Sequence, residues 1–127
     1  MLVGDGAFQM TGLEAGNCAS NGLSPIIIVF NNRSWETLRV INAGMVANDL
    51  DKWDFAGIAR CCNGVGVTAR TNADLANALR RAHGEARSFF LIDAQLSGRS
   101  AVLNTYMSTF ISSVTMANAA PPPPPAA

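Results

Sequence analysis

Asp5, set between Gly4 and Gly6, and Asn32, placed 27 positions later, are the side chains whose type and spacing could do chemistry. Each closes an apolar run, LV before Gly-Asp-Gly and PIIIVF before Asn31-Asn32. A magnesium ion wants six oxygens in near-octahedral array and is usually held by one or two carboxylates plus phosphate oxygens. Asp5 offers a carboxylate and Asn32 an amide oxygen. A backbone carbonyl just after Asn32, that of Ser34, can be a third ligand. Two oxygens of a diphosphate and a water complete the shell. Gly4 and Gly6 let a phosphate approach the main chain, and N–H groups at the start of the following helix favour negative charge. The competing explanation is two ordinary turns. Gly-Asp-Gly alone is common turn chemistry, and Asn-Asn after a strand is less specific still; the pair at this spacing carries more weight than either.

For one ion to meet both residues, two parallel strands must end side by side, with carboxyl ends about 4.8 Å apart. The pattern supplies such strands. Residues 1–3 read as the end of a strand, with turn chemistry in Gly4, Asp5 and Gly6. Thr11 and Glu14 have capping-box spacing, which predicts a helix over 12–20 with Gly22 as a left-handed C-cap. Residues 25–29 are apolar throughout, as in a strand buried on both faces of a parallel sheet. A short helix is expected over 34–40 and a loop over 42–50. Asp51 or Asp54 caps a helix presenting Phe55, Ile58 and Cys62, and Gly64 stops it. Then come a strand over 65–69 and a helix with a Thr71/Asp74 capping box and Leu75, Leu79 and Ala82 on one side, ended by Gly84. A strand over 88–96 and a weaker helix over 102–114 follow. Alternating strands and helices predict an α/β fold, a parallel sheet with helices on both faces. The domain spans 1–117. Residues 118–127 form a Pro/Ala-rich tail with five consecutive prolines, expected to be extended or disordered.

Composition narrows the function classes. Hydrophobic residues make up 49% of the 127-residue chain and charged residues 14%. That is rich for one small domain and suggests apolar surface meant for a partner. Nine basic residues balance nine acidic ones without a basic cluster, so nucleic-acid binding has no electrostatic footprint. Three cysteines, two of them adjacent, suit packing in a reducing, cytoplasmic setting better than a disulfide framework or a zinc site. The apolar run 26–30 is too short to cross a bilayer, and the N-terminus has no signal-peptide pattern. His83 falls near a helix C-terminus, where the dipole favours it. Trp53 and Phe55 read as core or interface anchors.

VGDGAFQMTGLE followed by PIIIVFNNRSWETLR resembles the thiamine diphosphate signature, and the likeness continues through NDLDKWDFAGIA and FFLIDAQL, over roughly residues 1–115. The segment is similar to the C-terminal, cofactor-binding domain of 2-oxo acid decarboxylases of the phenylpyruvate/indolepyruvate type. The resemblance implies thiamine diphosphate and Mg²⁺ as cofactors. Asp5, the Asn32 side chain and the Ser34 carbonyl would hold the metal. Gly4, Gly6 and Ala7 would line the diphosphate through their main chain, and Trp35 would flank the cofactor. Ser34 stands where many members have glycine, a change a backbone ligand tolerates. Leu38 stands where pyruvate-type members have a catalytic glutamate, and an apolar residue there suits a larger aryl 2-oxo acid.

The resemblance also implies parts beyond these residues. In the family the sheet begins upstream of Gly-Asp-Gly, and a separate pyrimidine-binding domain, of the same or a neighbouring subunit, brings the activating glutamate and a histidine pair. The expectation is therefore a partial domain, with no catalytic acid or base of its own, inactive in isolation and part of a homo-oligomer when intact. The competing expectations are a non-enzymatic, degenerate fragment that pairs with full-length subunits, or part of a different thiamine-dependent synthase or lyase.

Overall fold

A computed structural model describes residues 1–42, 44–85, 87–98 and 100–118. Its centre is a parallel four-stranded sheet of β1 (Leu2–Gly4), β2 (Ile26–Asn31), β3 (Val65–Ala69) and β4 (Phe90–Gln95), in the order β1-β2-β4-β3. The helices are α1 (Asp5–Thr11), α2 (Asn17–Ser20), α3 (Glu36–Ile41), α4 (Phe55–Cys61), α5 (Asn72–Gly84) and α6 (Ala101–Asn118). They cover both faces, as expected. On one face Phe8 of α1 and Phe55 and Ala59 of α4 pack with Ile27, Val29, Phe89 and Leu91. Phe8 and Phe55 meet edge to face at 5.4 Å. On the other face Leu75, Ala78 and Leu79 of α5 pack on Ile26, Ile28, Val67 and Ile92. That two-sided cover explains why β2 and β4 are apolar at nearly every position.

Several local expectations are corrected. Gly4-Asp5-Gly6 is not a free-standing turn: Gly4 ends β1 and Asp5 opens α1 directly. The helix predicted over 12–20 is divided. Residues Gly12–Gly16 form a 3-10 helix before α2, and the Thr11 side chain makes no capping bond. Phe8 explains this, because burying it against Phe55 requires the helix to start before Thr11. Gly22 does take the left-handed conformation, with φ of 65°. β2 extends to Asn31, and its cover fails at Phe30, which is 39% exposed. The 42–50 loop contains a 3-10 turn, Val46–Asn48.

Of the two proposed caps for α4, Asp54 is the one, accepting the Gly57 N–H at 2.8 Å. Asn63, left-handed at φ 60°, ends that helix one residue before Gly64. The α5 capping box is present in both directions. The strand expected over 88–96 is shorter, and α6 is longer than 102–114. Trp53, Cys18 and Cys62 pack against the core, but Cys61 is exposed and packs against nothing there. Of the expected tail 118–127, Asn118 is the last residue of α6, and 119–127 lie outside the described residues.

Candidate cofactor and metal site

β1 and β2 are neighbours, with Gly4 opposite Phe30. Their carboxyl ends therefore open together beyond the same sheet edge, where ligands of open α/β sheets bind. The cleft there has a volume of about 500 Å³. Gly4, Asp5, Gly6, Ala7, Asn32, Ser34 and Trp35 all line it. The structure thus gathers every site residue expected from the sequence.

Asp5 is 2% exposed. Its Oδ1 accepts the Gly6 N–H at 2.9 Å and its Oδ2 the Arg33 N–H at 2.6 Å. Burial raises its carboxyl above the ordinary aspartate range, and main-chain N–H groups of Gly6, Arg33 and Ser34 pull partly the other way. A buried carboxylate with no cationic side chain among these partners favours a metal ion. Asn32 Oδ1 accepts the Ser34 N–H at 3.1 Å, a local turn that uses one of its two lone pairs.

The loop folds onto Asp5 at some cost. Arg33 sits at φ 55°, a left-handed conformation worth roughly 1–2 kcal/mol against a non-glycine residue. Ser34 faces Asp49 in an isolated antiparallel bridge. The bonds of that bridge are Trp35 N–H to the Asn48 carbonyl at 2.9 Å and Leu50 N–H to the Arg33 carbonyl at 3.0 Å. Ser34 and Asp49 are therefore a non-hydrogen-bonded pair, whose N–H and carbonyl groups point away from one another, and the Ser34 N–H lies against the Asp5 carboxylate. Trp35 closes the other wall. A Cβ on Gly6 would lie 2.8 Å from its Cε3, so glycine is what lets the indole and α1 meet.

These groups suit a hard cation and a phosphate. Among the described residues no group of three or more His, Cys, Asp or Glu side chains gathers, so the donors offered are one carboxylate, one amide and a main-chain carbonyl. Gly4 leaves open space where a Cβ would stand.

The sequence pattern of the thiamine pyrophosphate enzyme, C-terminal TPP binding domain, matches residues 1–94. The chain belongs to this family. The chain is 45% identical over 120 residues to indole-3-pyruvate decarboxylase of Azospirillum brasilense, covering 94% of this chain and 22% of that one. It is 32% identical over 111 residues to sulfoacetaldehyde acetyltransferase of Castellaniella defragrans, covering 84% and 17%. It is 32% identical over 100 residues to alpha-keto-acid decarboxylase of Mycobacterium ulcerans, covering 76% and 18%. The chain thus spans about a fifth of the length of these relatives. Its fold matches the thiamine diphosphate-dependent 4-hydroxybenzoylformate decarboxylase of Rhodococcus jostii RHA1 with a TM-score of 0.64 at 23% identity, over 78% of this chain and 20% of that one.

Two neighbouring residues of α3 stand differently toward the cleft. Leu38, assigned the position of a catalytic group, is 48% exposed and does not line the cleft. Glu36 does, at 7% exposure. Its Oε1 accepts from Asn104 Nδ2 of α6 at 3.1 Å, and its Oε2 is buried without a partner. Arg39 is also buried. Glu36 and Arg39 lie three residues apart, which sets them near one another on α3, but that spacing does not say which face of so short a helix turns inward.

Proposed function

We propose that the chain is the Mg²⁺- and diphosphate-binding part of a thiamine diphosphate-dependent decarboxylase acting on an aryl 2-oxo acid, phenylpyruvate or indolepyruvate, to give an aldehyde and CO₂. The supporting observation is the buried Asp5 carboxylate with the Asn32–Trp35 loop folded onto it through the 2.6 Å bond from Arg33. Asp5, the Asn32 amide oxygen and the Ser34 carbonyl hold the Mg²⁺. The main chain at Gly4, Gly6 and Ala7 takes the diphosphate. The Ala7 amide lies in the first turn of α1, where no intrahelical carbonyl can reach it. Trp35 walls the site. Bound thiamine diphosphate supplies the carbon nucleophile and the electron sink for loss of the carboxylate. The chain's residues bind and orient it, and none of them is assigned as proton donor or acceptor.

The aryl preference is supported by the 45% identity to indole-3-pyruvate decarboxylase. The activating glutamate is assigned to a pyrimidine-binding domain, of the same or a neighbouring subunit, in a homo-oligomer. The isolated chain is then catalytically silent. Three free thiols support a cytoplasmic, reducing setting. The likeness to sulfoacetaldehyde acetyltransferase favours, as a second reading, a different thiamine-dependent transfer on the same cofactor site. The exposed apolar side chains Met1, Leu2, Met10 and Leu13 favour a subunit-pairing module as the non-enzymatic one.

Isothermal titration of the chain with thiamine diphosphate, with and without Mg²⁺, tests the cofactor assignment. Heat that requires Mg²⁺ and vanishes in Asp5→Asn is expected. No heat from the wild type, even with the upstream part of the enzyme supplied in trans, would count against it. With that part present, CO₂ release from phenylpyruvate or indolepyruvate supports the decarboxylase, and its absence alongside normal cofactor heat favours the transferase.

A further inference from the structure

We infer that Arg39 is a positioning residue for the metal loop, locking the Ser34 carbonyl toward Asp5 by gripping Ser34 and Asp49 together. The inference rests on the cofactor assignment above and adds the part that sets the loop's affinity for the ion.

Arg39 lies on α3, one turn after the loop, and is 8% exposed. Its Nε donates to Ser34 Oγ at 2.9 Å. Its Nη2 donates to the Asp49 carboxylate, whose own side chain is mostly in solvent. A planar guanidinium can hold two acceptors in fixed relative positions, which the single ammonium of lysine cannot do. Those acceptors are the facing residues of the antiparallel bridge. The fork therefore pins side chain to side chain where the backbone makes no bond. The bonds on either side, from the Trp35 N–H to the Asn48 carbonyl and from the Leu50 N–H to the Arg33 carbonyl, turn the Ser34 carbonyl away from Asp49. Asn48, buried and bonded through Nδ2 to the Asn42 carbonyl at 2.8 Å, anchors the facing segment. Arg33 gives the loop a reason to relax, since its left-handed backbone is disfavoured. Without the fork, Ser34 can swing off Asp5, and the ion loses its carbonyl ligand before it loses its carboxylate.

The test is a double-mutant cycle on the full chain with Arg39→Lys and Ser34→Ala. The quantity read is the Mg²⁺ concentration that half-saturates thiamine diphosphate binding, measured by calorimetry. Ser34→Ala removes only the hydroxyl that Arg39 grips and keeps the main-chain carbonyl. Each single change is expected to raise the half-saturating Mg²⁺ about tenfold, the scale of one lost hydrogen bond to a charged group. The double change is expected to be no worse than either single one, because the two act through one contact. Arg60→Ala, which breaks the surface pair with Asp54, is the control and leaves the value unchanged.

Hydrogen exchange supplies a second readout that needs no cofactor. The Arg33 and Trp35 amides should exchange faster in Arg39→Lys, while those of α5 do not change. Wild-type Mg²⁺ dependence in Arg39→Lys, or additive effects in the double variant, would overturn the inference and leave the cofactor assignment standing. Wild-type protein that binds thiamine diphosphate without any need for Mg²⁺, or not at all, would overturn both. Faster exchange throughout the chain would make Arg39 a general packing residue and also overturn the inference.

Discussion

Asp5 carries opposing demands: burial favours its protonated form, and a metal ion requires the ionised one. Its folded pKa lies above the 3.8 of an unperturbed aspartate. In the metal-free chain its contribution to stability is therefore fully present below 3.8 and lost as pH rises through the folded value. Mg²⁺ binding runs the other way, strengthening with pH over the same window as the competing proton leaves. Thermal unfolding across pH, with and without Mg²⁺ and thiamine diphosphate, should show a stabilisation that grows as pH rises through that window. Asp5→Asn should remove the growth. Gly6→Ala tests the neighbouring wall. Its Cβ would meet the Trp35 ring at 2.8 Å, so a stability loss of about 1–3 kcal/mol is expected. Cofactor affinity should fall with it, because the displaced indole directly follows Ser34. At this scale Asp5, Asn32 and Ser34 drew notice as a pair of motifs ending two apolar runs, since either alone is common turn chemistry, and all three line one cleft. Glu36 and Arg39 were not, since nothing in Trp-Glu-Thr-Leu-Arg says which face of a six-residue helix turns inward.

At the scale of elements, local signals worked where the backbone itself decides. The Thr71/Asp74 box forms in both directions, with Asp74 Oδ2 accepting the Arg70 and Thr71 N–H groups at 3.1 and 3.0 Å. Those bonds, that from Arg70 first, hold the Asp74 carboxyl below its ordinary range. Thr71→Ala should cost about 1 kcal/mol, measured by urea unfolding, and leave cofactor binding intact because α5 lies away from the cleft. The Thr11/Glu14 pair has the same spacing and does not cap, because burial of Phe8 fixes an earlier start for α1. Spacing alone could not reveal that a distant aromatic, Phe55, outbids a local cap. The same limit hid the link from α6. Asn104 reaches Glu36 across 68 positions, a contact no local pattern encodes. Asn104→Ala should destabilise by about 1–3 kcal/mol, since it leaves a buried carboxylate with neither oxygen paired to a side chain.

For the molecule as a whole, the α/β class followed from alternation, and strand order did not. β4 inserts between β2 and β3 because its run, Phe90 to Ala94, is buried throughout and needs a neighbour on each edge and a helix layer on each face. That arrangement leaves β1 on the sheet edge beside β2, and so places Gly4 and Asp5 next to the Asn32 loop. The central claim is that one cation is shared by Asp5, Asn32 and the Ser34 carbonyl. Its most direct measurement replaces Mg²⁺ with paramagnetic Mn²⁺ and records which backbone amides of the chain broaden by NMR when thiamine diphosphate is added. Broadening is expected to centre on Gly4 to Ala7 and on Asn32 to Trp35, with α5 untouched. Broadening centred elsewhere, or on only one of the two segments, would contradict it.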